Sequence, residues 1–257
     1  MDYLIICLVA AFASGLTFFS GFGLGTLLLP AFALFFPIEV AIALTAIVHF
    51  LNNLFKLYLV GKHANRVIVL RFGLPAILAA FLGAWLLLAL SGMQDLLSYA
   101  IANQVYQVSL VNLVIAVLMI GFAVVEVMPF FDKLAFGQKS LPIGGMLSGF
   151  FGGLSGHQGA LRSAFLVKCG LTKESFIGTG VMIACLIDFT RLIVYSSRYS
   201  FTATSESTGL LVAVTLSAFL GAFIGKRLLK KITLHAVRAI VAVMLFGVAI
   251  GLGLGLI

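Results

Sequence analysis

Charge is what this chain has least of. Sixteen Lys and Arg and eight Asp and Glu amount to 9% of its 257 residues, where a soluble domain carries about a quarter. That excludes a water-facing surface over most of the chain and leaves no stretch for a separate soluble domain. Cysteine is scarce as well. Cys7, Cys169 and Cys185 form no CxxC pair and no metal-ligand spacing, so neither a disulfide framework nor a metal site is expected, and no cofactor is implied. No Lys or Arg precedes Lys56. The N-terminus therefore lacks the basic region of a signal peptide and is read as part of the mature membrane domain.

What the chain has in abundance is apolar length. It is 62% hydrophobic with a mean hydropathy of +1.22. Apolar segments recur at about 3–36, 38–60, 67–90, 109–130, 141–168, 175–197, 207–228 and 236–256, most of them long enough to cross a bilayer as helices. The expected class is an all-α polytopic membrane protein with one integral domain over 1–257. The net charge of +8 sits in short connections between spans, as basic residues of membrane proteins do, so nucleic acid is not an expected partner. The stretch 91–108 is mixed and nearly uncharged and is expected to lie as an interfacial helix.

Two of the segments are interrupted. The first carries SGFGLG at 20–25 and the fifth SGHQG at 155–159. The halves repeat, at about 3–130 and 141–256. Ser14-Gly15 corresponds to Ser148-Gly149, Gly25 to Gly159 and Thr45 to Thr179, and AFLGA occurs at 80–84 and again at 218–222. Gly-interrupted segments at matching places in two halves point to the binding site of a transporter. The alternative is that these glycines only let helices pack closely.

The basic residues address topology. If each broken segment crosses once, eight Lys and Arg fall on each side; if the fifth turns back at SGHQG, fourteen fall on one side and two on the other. The positive-inside rule favours the hairpin. By repeat symmetry the first segment is expected to be a hairpin from the opposite face, giving an inverted repeat with both termini outside.

At each tip a second half-helix would begin, offering backbone N–H groups and a partial positive charge to an anion. The candidate binding residues are Ser20, Gly21, Gly23, Gly25 and Thr26 at the first tip. At the second they are Ser155, Gly156, His157, Gln158, Gly159 and Arg162, the last as a bidentate oxoanion partner. The spans that follow contribute His49, Asn52, Asn53, Asp188 and Arg191 as a possible polar or proton relay. Lys56 and Arg191, toward span ends, are expected to snorkel.

The run SGFGLGTLLLP, with Gly21, Gly23, Gly25 and Pro30, resembles the glycine-rich stretch of the TauE/SafE sulfite exporter family, also called the TSUP family. The doubled motif and the paired AFLGA segments extend the resemblance over nearly the whole chain. It implies secondary transport of small anions, chiefly sulfite, thiosulfate, sulfoacetate and related sulfonates, coupled to protons, in the cytoplasmic membrane. The sequence departs from the family at Leu24, and Ser155, His157 and Gln158 stand where glycines are usual. Ala164 stands where the proline would be.

On this reading one repeat rocks against the other around the anion. Two rivals use the same residues differently. A passive anion channel needs only the paired helix ends. A rhomboid-like serine protease would use Gly153-Leu154-Ser155-Gly156 as a GxSG motif and His49 to Asn53 as HxxxN, and it needs a base within reach of the serine.

Overall fold

The computed structural model describes residues 2–20, 24–101, 104–128, 136–198, 205–228 and 234–257. Ten α-helices and one β-hairpin lie within these residues. The first apolar segment gives α1 (Asp2–Ser20) and α2 (Leu24–Ala33), followed by α3 (Ile38–Val60) and α4 (Arg66–Leu90). Then come β1 (Leu97–Ile101), β2 (Gln104–Val108) and α5 (Leu110–Val127). The second half gives α6 (Leu141–Ser155), α7 (Gly159–Leu166), α8 (Lys173–Ser196), α9 (Ser205–Leu228) and α10 (Leu234–Gly253). Four stretches are long and apolar enough to cross a membrane: Ile38–His63, Arg66–Leu90, Lys173–Ser196 and Thr208–Gly225. With the shorter apolar helices beside them, this is a multi-pass helical membrane protein.

Segment 91–108 corrects the expectation of an interfacial helix. Leu97 to Ile101 pairs antiparallel with Gln104 to Val108. Tyr99 and Tyr106 stand opposite each other with rings 5.4 Å apart. Tyr, Ile and Val suit a pleated strand better than a helix, and a stacked cross-strand aromatic pair holds the register.

Small residues decide which helices touch. Gly145, Gly149 and Gly153 lie one turn apart on α6 and face the backbone of Phe72, Ala76 and Ala80 on α4. A β-carbon on any of the three would overlap the carbonyl oxygen opposite. The partners advance together along both helices, so α4 and α6 run parallel. On α9, Gly221 faces Ala11 and Gly225 faces Gly15 of α1 in the same way. Such seams let helix backbones approach directly, which is how apolar helices gain contact where lipid removes the hydrophobic drive. Each seam joins a broken segment of one half to the third span of the other.

The central pair is α3 and α8. Gly178, near the start of α8, abuts Val60 at the end of α3, while Phe50 and Phe189 approach to 6.2 Å. These helices are therefore antiparallel. The connection after α3 joins them at one end, where the Asn65 amide donates to Thr179 Oγ1 at 2.9 Å and the Asn65 side chain caps α4. Lys62, Arg66, Lys139, Lys168 and Lys173 are exposed around this basic end. At the other end Arg198 donates to the Leu88 carbonyl at 2.6 Å, and Tyr99 Oη donates to the Leu254 carbonyl. The β-hairpin and the last helix thus share that end.

Candidate functional site

The second broken segment folds back on itself. α6 ends at Gly156, whose φ of +83° is a left-handed conformation that glycine adopts without strain. α7 then returns along α6. Gly152 meets the Gln158 side chain near the turn, Ser148 Oγ donates to the Gln158 carbonyl at 3.0 Å, and Gly144 meets the Phe165 ring farther along. Gln138 Nε2 reaches the Cys169 carbonyl at 3.3 Å, so the two ends of the segment meet. In the first half, α2 packs on α1 and α3, and all ten of its residues are buried.

The two breaks touch. A β-carbon on Gly25 would stand 3.6 Å from the Gly156 carbonyl oxygen and from the Thr45 methyl, and 3.8 Å from the His49 ring. Thr26 follows, also buried. Ser20 ends α1; its side chain, with Gly21 and Gly23, lies outside the described residues.

Around this contact the polar side chains converge on one carboxylate. His49 Nδ1 donates to Asp188 Oδ2 at 2.6 Å and Asn53 Nδ2 donates to the same oxygen at 3.2 Å. Gln158 Nε2 donates to Asp188 Oδ1 at 2.9 Å. Arg191 grips Oδ1 through Nε at 3.1 Å and Nη2 at 2.8 Å, and its Nη1 reaches the Gly152 carbonyl at 3.3 Å. Both Asp188 and Arg191 have no exposed side-chain surface. A buried charge is tolerable when it is paired and its remaining acceptor sites are filled, and Asp188 meets both conditions.

Arg162 differs. It is buried, and its Nη1 donates to Gln158 Oε1 at 3.0 Å, a neutral amide. No carboxylate stands within ion-pair distance of it among the described residues. The first turn of α7 has no side-chain cap from Gln158, so the amides of Gly159, Ala160 and Leu161 lack the usual N-cap acceptor. Buried polar atoms with no partner among the described residues include Thr45 Oγ1, Asn52 Nδ2 and His157 Nε2. Asn52 Oδ1 accepts from Ser14 Oγ at 3.0 Å.

The structure thus brings Gly25, His49, Asn53, Gly156, Gln158, Arg162, Asp188 and Arg191 into one buried cluster. Asn52 stands apart, turned to α1. His157 also turns away, its ring stacked on Phe122 at 4.9 Å with only 9° between planes. Two expectations are corrected. Arg191 is fully buried and Lys56 is 4% exposed, so neither snorkels. Thr45, His49, Asn52, Asn53 and Lys56 recur at helical spacing on the buried face of α3.

Ser155 is poorly placed for nucleophilic chemistry. Its Oγ donates to the Phe151 carbonyl at 3.1 Å, so the contact with His157 Nδ1 at 3.0 Å is one in which the imidazole donates. In this arrangement the imidazole is not accepting the serine proton, as a general base would. His49 and Asn53 are engaged with Asp188 instead.

A family model described as sulfite exporter TauE/SafE matches residues 3–252, nearly the whole chain. A comparison with curated proteins found no match.

Proposed function

The chain belongs to the sulfite exporter TauE/SafE family, and from that premise we propose that it is a secondary transporter. Its substrate is a small sulfur-containing oxoanion or organosulfonate, bound where the two breaks meet. The observation that carries this reading is Arg162. A buried guanidinium whose bonded partner is a neutral amide stands one turn from an uncapped helix N-terminus. Guanidinium and helix-end amides are the donors that oxoanions select. The contact of Gly25 with Gly156 brings the first break beside the second, where Arg162 and the start of α7 lie.

The antiparallel α3–α8 pair, the two parallel seams and the antiparallel return of α7 support an inverted repeat with re-entrant tips. The exposed lysines and arginines around the basic end support the reading in which that end faces the cytoplasm and both termini lie outside the cytoplasmic membrane. The seams also redraw the moving parts. α6 is locked to α4 and α1 to α9, so each rocking body draws helices from both halves.

Thermal unfolding of the purified protein against sulfite, thiosulfate, sulfoacetate, taurine, sulfate, phosphate and small carboxylates tests the reading. A ligand of the native state raises the midpoint by mass action. A selective rise with a sulfur oxoanion is expected. A flat response to every anion overturns the anion site. Uptake into proteoliposomes that saturates with concentration, rather than large unitary currents, separates a transporter from a channel.

A further inference from the structure

Resting on the anion-transport reading, we propose that the Thr45 hydroxyl is a further substrate contact, donating to an oxygen of the transported anion at the joint between the two breaks. Thr45 is 2% exposed, and its Oγ1 has no hydrogen-bond partner among the described residues. Its side chain stands at the joint itself: the Thr45 methyl, the Gly156 carbonyl oxygen and the His49 ring border one point above Gly25. A helix-borne hydroxyl in apolar surroundings ordinarily donates to the carbonyl one turn back. Thr17 does so to Ala13 at 2.7 Å, Ser155 to Phe151 at 3.1 Å and Thr190 to Leu186 at 2.8 Å. Thr179 instead accepts from the Asn65 amide. Thr45 does neither, although Ala41 lies one turn before it on α3. A buried hydroxyl without a partner is costly and calls for an explanation.

Position makes the anion the fitting partner. Asn52 Nδ2 and His157 Nε2 also lack partners among the described residues, but Asn52 is tied to α1 by Ser14 and His157 lies against Phe122. Thr45 precedes His49 by one turn, on the side away from the basic end. Arg162 follows Gln158 by one turn, on the side toward it. Gly25 and Gly156 are in contact, so an anion reaches the Thr45 hydroxyl as the breaks part. It then meets a neutral donor at the joint and a guanidinium one turn inward. A hydroxyl donates to sulfite, thiosulfate and sulfonate oxygens alike, so Thr45 raises affinity for the oxoanion class as a whole.

The test compares Thr45→Val with the wild type, both full-length in detergent. Valine keeps the shape of threonine and removes the hydroxyl. The thermal midpoint without anion reads the fold, and its rise with sulfite or thiosulfate at constant ionic strength reads affinity. A hydroxyl with no partner in the protein adds nothing to the fold, so the anion-free midpoint is expected to stay unchanged or rise. Affinity for both anions is expected to fall about tenfold. Thr45→Ser is expected to bind as the wild type does. Thr45→Ser against Thr45→Ala gives the same comparison should the valine variant not fold. A valine variant with wild-type affinity for both anions overturns the proposal and leaves the transport reading in place. A lowered anion-free midpoint with unchanged affinity also overturns it, by making the hydroxyl structural. If no anion shifts the wild-type midpoint, the transport reading falls and this inference falls with it.

Discussion

α2 and α7 each follow a break in an apolar segment and have almost nothing else in common. α2 buries Leu24, Leu27, Leu28, Leu29 and Phe32, and its one polar side chain is Thr26. α7 buries Arg162, and Gln158 at its start connects Arg162 to Asp188. The spans behind them differ in the same sense. α3 contributes neutral Asn53 where α8 contributes Asp188, and the two side chains bond to each other. α2 supplies an apolar wall and α7 supplies charge.

Substitutions at matching places should expose the division. The largest effect is expected from Asp188→Ala. It strands Arg191 with buried donors from three helices, a loss of about 3–5 kcal/mol for a broken buried pair. Asn53→Ala, its counterpart, should cost about 1–3 kcal/mol. Thermal midpoints and size-exclusion profiles in detergent give the order, and equal losses would erase the contrast. Next comes Arg162→Gln, expected to weaken anion affinity about tenfold or more with the fold retained. A variant that binds sulfur oxoanions as the wild type does would remove Arg162 from the site.

A smaller effect separates the two glycines that touch. Gly156→Ala forces a left-handed residue and brings a methyl to 2.9 Å from Arg191 Nη1, at about 1–3 kcal/mol. Gly25→Ala meets only ordinary contacts at 3.6 Å and beyond and should lose less than about 1 kcal/mol. The smallest change is expected from Thr26→Val on the apolar wall, less than about twofold in anion affinity. A larger loss would make α2 a reader of the substrate as well.

Much of this was legible in residue order, for physical reasons that also mark where legibility ends. SGHQG interrupts an apolar run with groups that lipid cannot satisfy, so a turn buried in protein follows from the sequence. The polar residues of α3 and α8 announce themselves because ionisable groups at that depth need a purpose. Burial is harder to read. In a membrane protein the lipid face and the core face are both apolar, so the helical period cannot say which way Lys56 points. Its nearness to a span end suggested snorkelling, whereas in the fold it is buried one turn past Asn52 and Asn53. The β-hairpin at 97–108 was hidden for another reason. Its strands are five residues each, and their alternation is short enough to pass for an interfacial helix. The seams between halves were hidden because they pair residues far apart in sequence, and glycine spacing on one helix does not name its partner.

Those seams carry a consequence for biosynthesis. α1 leaves the ribosome before any of its main lateral neighbour exists, because α9 is among the last elements to be made. Its row of small residues is apolar and can wait in lipid, but it has nothing to close against. The nascent first half is thus inserted long before it is finished, and the last helices complete the first. Halves made as separate chains are expected to co-purify when inserted together and to be degraded when made alone, with the final third of the chain serving as the quality-control step for the beginning.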